Sequence, residues 1–212
     1  MNILIIGATG YTGSHLVNHL VAAGNNKVVA FTRKAPGLTS SRNVHWIQAD
    51  MNDSGWLDAV PGEIDSVVYL AQSNRYREFP DGAFDMMRIN TQCVLEALEW
   101  SRRNKVSQFI FASTGNVYKP SQSLYKEEDP VYPSSFYAAS KINAENLVMQ
   151  YSSFFETIIF RVFSIYGKGQ EKMMIPSILD KIRNRQKIQL TGSKGILLSP
   201  IYIDDAVHIC ET

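Results

Sequence analysis

The chain opens Met1-Asn2-Ile3-Leu4-Ile5-Ile6-Gly7-Ala8-Thr9-Gly10-Tyr11-Thr12-Gly13, and this stretch decides the fold. Residues 2–6 form an almost unbroken apolar run. A strand with water on one face alternates apolar and polar residues, so such a run is expected where both faces are covered, as in a parallel sheet. It stops at Gly7, and residues 12–23 then place Leu16, Val17, Leu20 and Val21 at helical spacing before Gly24, a natural C-terminal stop. The glycines between strand and helix have separate tasks. Gly7 permits a tight turn, Gly10 lets backbone approach a pyrophosphate, and Gly13 lets the helix pack closely on the strand. The helix N-terminus then turns its free N–H groups and positive dipole end toward phosphate. A dinucleotide is the expected ligand, with Gly7, Thr9, Gly10, Tyr11, Thr12 and Gly13 around it.

The same rhythm continues down the chain. Further strands are expected at 28–31, 44–47, 65–71, 108–112 and 157–163, and helices at 84–103 and 135–151, with a polar, proline-punctuated loop over 119–134. Strands alternating with helices imply parallel βαβ units and a doubly wound α/β sheet. After Tyr166 the pattern changes to a helix at 173–183, short strands at 188–190 and 201–203, and a helix opening at Asp204-Asp205. The expected organisation is a dinucleotide-binding domain over 1–166 and a small lobe over 167–212.

Composition excludes several classes. Of 212 residues 45% are apolar and 19% charged, which is incompatible with global disorder. Lys+Arg is 21 against Asp+Glu 20, so there is no electrostatic reason to expect nucleic acid or an anionic membrane. The two cysteines, Cys93 and Cys210, form neither a disulfide framework nor a metal knuckle. The first residues carry no basic n-region or cleavage signature, and no apolar run approaches the ~20 residues of a membrane span. The expectation is a cytoplasmic protein. His15 and His19 are four apart on the first helix but lack a third ligand, so no metal is expected.

Two stretches carry chemistry. The second strand ends Ala30-Phe31-Thr32-Arg33-Lys34 with no carboxylate to bond ribose hydroxyls. Arg33 offers a planar fork for a 2′-phosphate and Lys34 a point charge, which favours NADP over NAD. Asp50, after the third strand, is placed to bond an adenine amino group or to cap a helix. Further on, Tyr137 and Lys141 lie one helical turn apart. A phenol with its ordinary pKa of about 10 is a poor base at neutral pH, but a nearby ammonium favours the phenolate. Such a phenol can exchange a proton with a hydroxyl or carbonyl while hydride moves at the same carbon. Ser113 and Thr114 close the fifth strand, where doubly wound sheets bind ligands.

In these motifs the chain resembles the extended short-chain dehydrogenase/reductases, the NAD(P)-dependent epimerase/dehydratase family. The likeness covers nearly the whole chain. It rests on Gly7/Gly10/Gly13, Asp50, Tyr69-Leu70-Ala71, Asn90, Ser113-Thr114…Val117-Tyr118, Tyr137…Lys141, Arg161…Tyr166-Gly167 and Tyr202-Ile203-Asp204-Asp205. The resemblance implies a Rossmann-type sheet with Thr114, Tyr137 and Lys141 as catalytic residues. Lys141 would lower the Tyr137 pKa and bond the nicotinamide ribose. It places Thr32, Arg33, Asp50, Met51, Leu70, Ala71, Gln72, Asn90, Ala112 and Ser113 at the cofactor, and Ser73, Thr114, Asn116 and Ser164 at the substrate. It also implies a homodimer through the helices at 84–103 and 135–151.

Departures from the family pattern narrow the reaction. Members that eliminate water follow the catalytic threonine with an Asp-Glu pair, and here Gly115-Asn116 stand there. A dehydratase is therefore disfavoured, whereas a 4-epimerase or ketoreductase needs only hydride transfer and the Tyr137 proton. Relatives acting on nucleotide sugars usually carry Asn where this chain has Ser164, and Arg-Asp where it has Leu198-Ser199. Lys194, or Arg75, Tyr76 and Arg77, would have to compensate. A nucleotide sugar is still the expected substrate class, and an NADP-holding sensor without turnover is the alternative. Family relatives run well past Tyr202-Ile203-Asp204-Asp205, so the substrate lobe is expected to be incomplete.

Overall fold

The structure, a computed structural model, describes residues 1–33, 43–121, 123–171, 173–189 and 198–210. Strand β1 (Asn2–Ile6) leads into helix α1 (Tyr11–Ala23), followed by β2 (Lys27–Thr32), β3 (Val44–Gln48) and β4 (Ser66–Tyr69). Helices α2 (Ala83–Met87) and α3 (Cys93–Arg103) are joined through one π-helical turn, Arg88–Gln92. Then come β5 (Gln108–Thr114), α4 (Phe136–Gln150), β6 (Glu156–Val162), β7 (Ser164–Tyr166), α5 (Met174–Arg183), β8 (Pro200–Tyr202) and α6 (Ile203–Ile209).

The first six strands form one sheet in the order β3-β2-β1-β4-β5-β6, and every neighbouring pair is parallel. This is the doubly wound sheet expected from the sequence. The order reverses between β1 and β4, which opens a crevice at the carboxyl ends of those strands. β1 shows why its run is apolar without alternation. Ile3 and Ile5 pack with Leu16 and Leu20 of α1 and with Ile203 and Val207 of α6. Leu4 and Ile6 pack on the other face with Val94 and Leu98 of α3 and Ala144 and Val148 of α4. Each such side chain contributes roughly 1.5–3 kcal/mol on burial. Gly24, at φ +76°, ends α1 in the left-handed conformation, as its position suggested.

Boundaries depart from expectation where tertiary contacts decide them. β5 runs two residues further, to Thr114, because Ser113 and Thr114 pair with Arg161 and Val162 of β6. β4 stops at Tyr69, which frees Leu70 and Ala71 to line the crevice. The helix expected over 84–103 contains the π turn, and the fully buried Asn90 sits within it. Beyond β6, β7 and β8 form a separate parallel pair. Ile188 and Gln189 are not strand residues, while Leu190, Lys34 and Lys194 fall outside the described residues.

Candidate active site

The glycine turn is shaped partly by the protein and partly around open space. Gly7 has φ +97°, and a Cβ there would come within 2.7 Å of the Ala71 amide nitrogen. At Gly13 it would lie 2.8 Å from the Ala8 Cα and closer still to the Gly7 carbonyl. The fold itself therefore imposes these two glycines. Gly10 differs, because a Cβ there would meet only the Gly7 carbonyl, at 3.2 Å. Gly10 is also the N-cap of α1, and no side chain caps that helix. An uncapped helix start behind a residue of minimal bulk fits a phosphate group.

All the expected site residues except Asn90 line a single cleft of about 2030 Å³ across the carboxyl ends of the strands. Thr32 is buried at the end of β2, and Arg33 beside it is exposed. Asp50 closes its own turn, its Oδ1 accepting from the Asn52 backbone N–H at 2.9 Å and the Asn52 side-chain amide at 3.0 Å. The Met51 carbonyl accepts from Arg88 and, at 3.3 Å, from the Cys93 thiol. Asn90, expected at the cofactor, stands behind the residues that line the cleft. It is wholly buried, its Oδ1 accepts from the Ser73 backbone N–H at 2.9 Å, and its Nδ2 donates to Ser140 Oγ at 3.0 Å. It ties the segment after β4 to α4 and does not reach the cleft. The hydroxyl of Ser73, almost fully buried, donates to Asp85.

The catalytic candidates converge where β5 ends beside α4. Ser135 caps α4 through the Ala138 N–H at 3.1 Å, which fixes where the helix begins and so where its first turns point. Tyr137 donates to Gln72 Oε1 at 2.9 Å. Burial pushes its phenol up to about 12; a hydrogen bond with Thr114 opposes this shift, and the nearby Tyr76 adds to it. Thr114 Oγ1 accepts from the Asn116 N–H at 3.2 Å and caps a single 3-10 turn. Asn116 is exposed to the cleft, and Ser164 opens β7 on its wall.

Lys141 is 2% exposed. Its Nζ donates to the Ala112 carbonyl at 2.8 Å and lies 4.8 Å from the Phe111 ring centroid. Burial brings its ammonium down to about 7, with Glu145 opposing the shift. The expected lowering of the Tyr137 pKa by Lys141 is thus not the balance seen here. With Nζ turned to Ala112, desolvation dominates both groups.

Glu145, which the sequence reading did not single out, is the hub behind these residues. Its buried carboxylate accepts from Ser113 Oγ and from the Arg161 fork at 2.8–3.2 Å. Arg161 also donates to Tyr118 OH at 2.6 Å and to the Glu127 carbonyl at 3.1 Å. A signal was present, because Tyr137, Lys141 and Glu145 are spaced by four and share a helix face.

The model of the NAD dependent epimerase/dehydratase family matches residues 3–212. The chain belongs to this family. It is 30% identical to the UDP-glucose 4-epimerase of Lacticaseibacillus casei over 234 residues, which covers 100% of this chain and 69% of that enzyme. It is 27% identical to the dTDP-D-glucose 4,6-dehydratase of Dictyostelium discoideum, over 97% of this chain and 53% of that one. Among solved structures it resembles MoeE5 in complex with UDP-glucuronic acid and NAD, with a TM-score of 0.85 and 25% identity, over 100% of this chain and 71% of that one. Members of the family thus differ in reaction, and this chain spans little more than half the length of some of them. Among the described residues no helix is long and apolar enough to cross a membrane.

Proposed function

We propose that the chain is an NAD(P)-dependent enzyme acting by hydride transfer at a hydroxyl-bearing carbon of a nucleotide sugar, with 4-epimerisation as its reaction. The observation that carries this reading is the convergence of Tyr137 and Thr114 at the end of β5, in the same cleft as the Gly7–Gly10–Gly13 turn. The uncapped start of α1, Thr32 and Arg33, and the segment 70–72 would hold the dinucleotide. When bound, it supplies the hydride acceptor and donor.

The chain's own groups handle the proton. Thr114 Oγ1 would bond the reacting oxygen and orient it toward Tyr137. The protonated phenol suits delivery of a proton to a carbonyl oxygen as that oxygen becomes a hydroxyl, and the phenolate left behind takes a proton back when a hydroxyl is oxidised to a carbonyl. Lys141 would meet the cofactor ribose by turning from the Ala112 carbonyl. Elimination of water is disfavoured on packing as well as on sequence. A Cβ on Gly115 would lie 2.6 Å from the Phe163 ring and nearer still at one edge, so the ring fills the space that a dehydratase-type aspartate would need.

Tyr137→Phe tests the mechanism. Turnover on UDP-glucose should fall about 10²–10⁴-fold, while NAD(P) affinity in a cofactor titration stays unchanged. Undiminished turnover would overturn the assignment, and a wild-type protein that binds cofactor but turns over no nucleotide sugar would instead be a sensor. The preference for NADP rests on Arg33, with NAD, the cofactor in the MoeE5 complex, as the competing outcome. Arg33→Ala should weaken NADP binding about tenfold or more and leave NAD binding unaltered. A second copy of the chain is the proposed partner, through the helices that contain α2, α3 and α4.

A further inference from the structure

We propose that Arg88 is a positioning residue for the adenosine half of the dinucleotide, holding the turn Asp50–Asn52 in place through the Met51 carbonyl. The proposal rests on the cofactor reading above, in which the turn after β3 meets the dinucleotide.

Asp50, Met51 and Asn52 line the cleft, and Arg88 is not among the described residues that do. Its part is therefore indirect. The turn makes its own inner shape. Asp50 Oδ1 accepts from the Asn52 N–H at 2.9 Å, and the Asp50 carbonyl accepts from the Asp53 N–H at 3.0 Å. Where the turn sits is decided from outside it. On one side the Ala49 N–H donates to the Thr32 carbonyl at 3.0 Å, tying the end of β3 to β2. On the other, the Met51 side chain packs on the core and its carbonyl accepts from Arg88 Nη2, with the Cys93 thiol as a weaker donor at 3.3 Å. The guanidinium is itself held, because Nη1 pairs with Glu96 Oε1. The other oxygen of Glu96 accepts from Trp56 Nε1 at 2.6 Å.

The π turn is what brings these groups together. The Cys93 N–H reaches back five residues to the Arg88 carbonyl. Two turns of a regular helix take about seven residues. The wide turn takes up one more, so Arg88 and Glu96, eight apart, face the same way. The residues that follow Arg88 reach other elements. The Ile89 carbonyl accepts from Tyr69 OH at 2.6 Å, Asn90 accepts from the Ser73 N–H, and Thr91 Oγ1 donates to the Ser140 carbonyl at 3.0 Å. Of these contacts, the one to the turn after β3 belongs to Arg88.

The test measures binding to the whole chain by titration calorimetry, with NAD or NADP, whichever the wild type holds more tightly. ADP, measured by its competition with that dinucleotide, reads the adenosine half alone. Arg88→Met is expected to weaken both ligands by the same factor, about tenfold, because the lost contact lies wholly on the adenosine side. Arg88→Lys supplies a point charge that can bond Met51 or Glu96 but lacks the fork for both, so it should fall between wild type and Arg88→Met. A residue that only braced the fold would lower the melting temperature and leave both affinities, measured well below it, unchanged. If Arg88→Met does not fold, Glu96→Gln carries the test. It keeps an acceptor for Trp56 but frees the guanidinium, and should produce a smaller loss, again equal for both ligands. Unchanged affinities, or a loss for the dinucleotide that ADP does not share, overturn the proposal. Wild type that binds neither ligand would overturn the cofactor reading and this proposal with it, and that failure is seen before any substitution is made.

Discussion

Lys141 is a lysine with almost no water around it, and this gives the fold a pH dependence of definite sign. Its ammonium falls from the ordinary 10.5 to about 7 in the folded chain. Below pH 7 both folded and unfolded chains hold the proton, and the folded one bears the cost of burying it. Between about 7 and 10.5 the folded chain has released the proton while the unfolded chain still binds it, so stability rises with pH. Lys141→Met removes the linkage. Urea midpoints measured from pH 6 to 9 should shift progressively in favour of wild type as pH rises, relative to Lys141→Met. A difference constant across that range would contradict the placement of this side chain. The candidate residues were legible where spacing defines them, as for Tyr137 with Lys141, whereas spacing left Ser113 and Thr114 level at the end of β5 and only the family resemblance favoured Thr114. Glu145 was not legible. A carboxylate midway along a helix reads as a solvated face, and its burial depends on Arg161, sixteen residues on, in a neighbouring strand. Asn90 was legible as a special residue but not for what it touches, because its partners Ser73 and Ser140 come from two other segments.

Between elements, two packing sites decide what the cleft can hold. The 3-10 turn after β5 lies under Phe163, and Gly115 is the residue that lets them meet. Gly115→Asp, the change toward a dehydratase pattern, should destabilise the fold by about 1–3 kcal/mol through overpacking. Adding Phe163→Ala should relieve most of that loss in thermal denaturation, and no relief would place the strain elsewhere. The π turn between α2 and α3 makes the second site. Asn90→Ala would leave the buried Ser73 N–H without its acceptor, at a cost of about 1–3 kcal/mol in urea denaturation. An unchanged midpoint would mean that another group takes over. Six strands and their parallel sense could be read from apolar runs separated by helical spacing. The π turn could not, because helical periodicity is the same on either side and does not reveal a single wide turn within it. The C-terminal elements were harder still. Three-residue strands such as β7 and β8 form only because they pair with each other across 33 intervening residues.

For the molecule as a whole, the two helical segments beside the π turn and α4 form a layer whose inner side is core and whose outer side keeps large apolar groups in water. Val94, Leu98, Ala144 and Val148 face inward, whereas Phe84 is 92% exposed and Leu95 38% exposed. An aromatic ring left that open on a helix has no stabilising role in an isolated chain, and burying it against a second copy would recover its transfer free energy. A stable symmetric pair buries about 800 Å² per partner, an area that two helices from each copy can supply. Wild type is therefore expected to sediment at twice the mass of one chain. The double variant Phe84→Glu/Leu95→Glu should sediment as one chain, because each symmetric contact would place carboxylates in a dry interface. Neither residue lines the cleft, so the variant should retain cofactor affinity, which separates loss of the pair from loss of the fold. Wild type that remains a single chain at high concentration would refute the pairing and leave Phe84 as a surface residue that the structure does not explain.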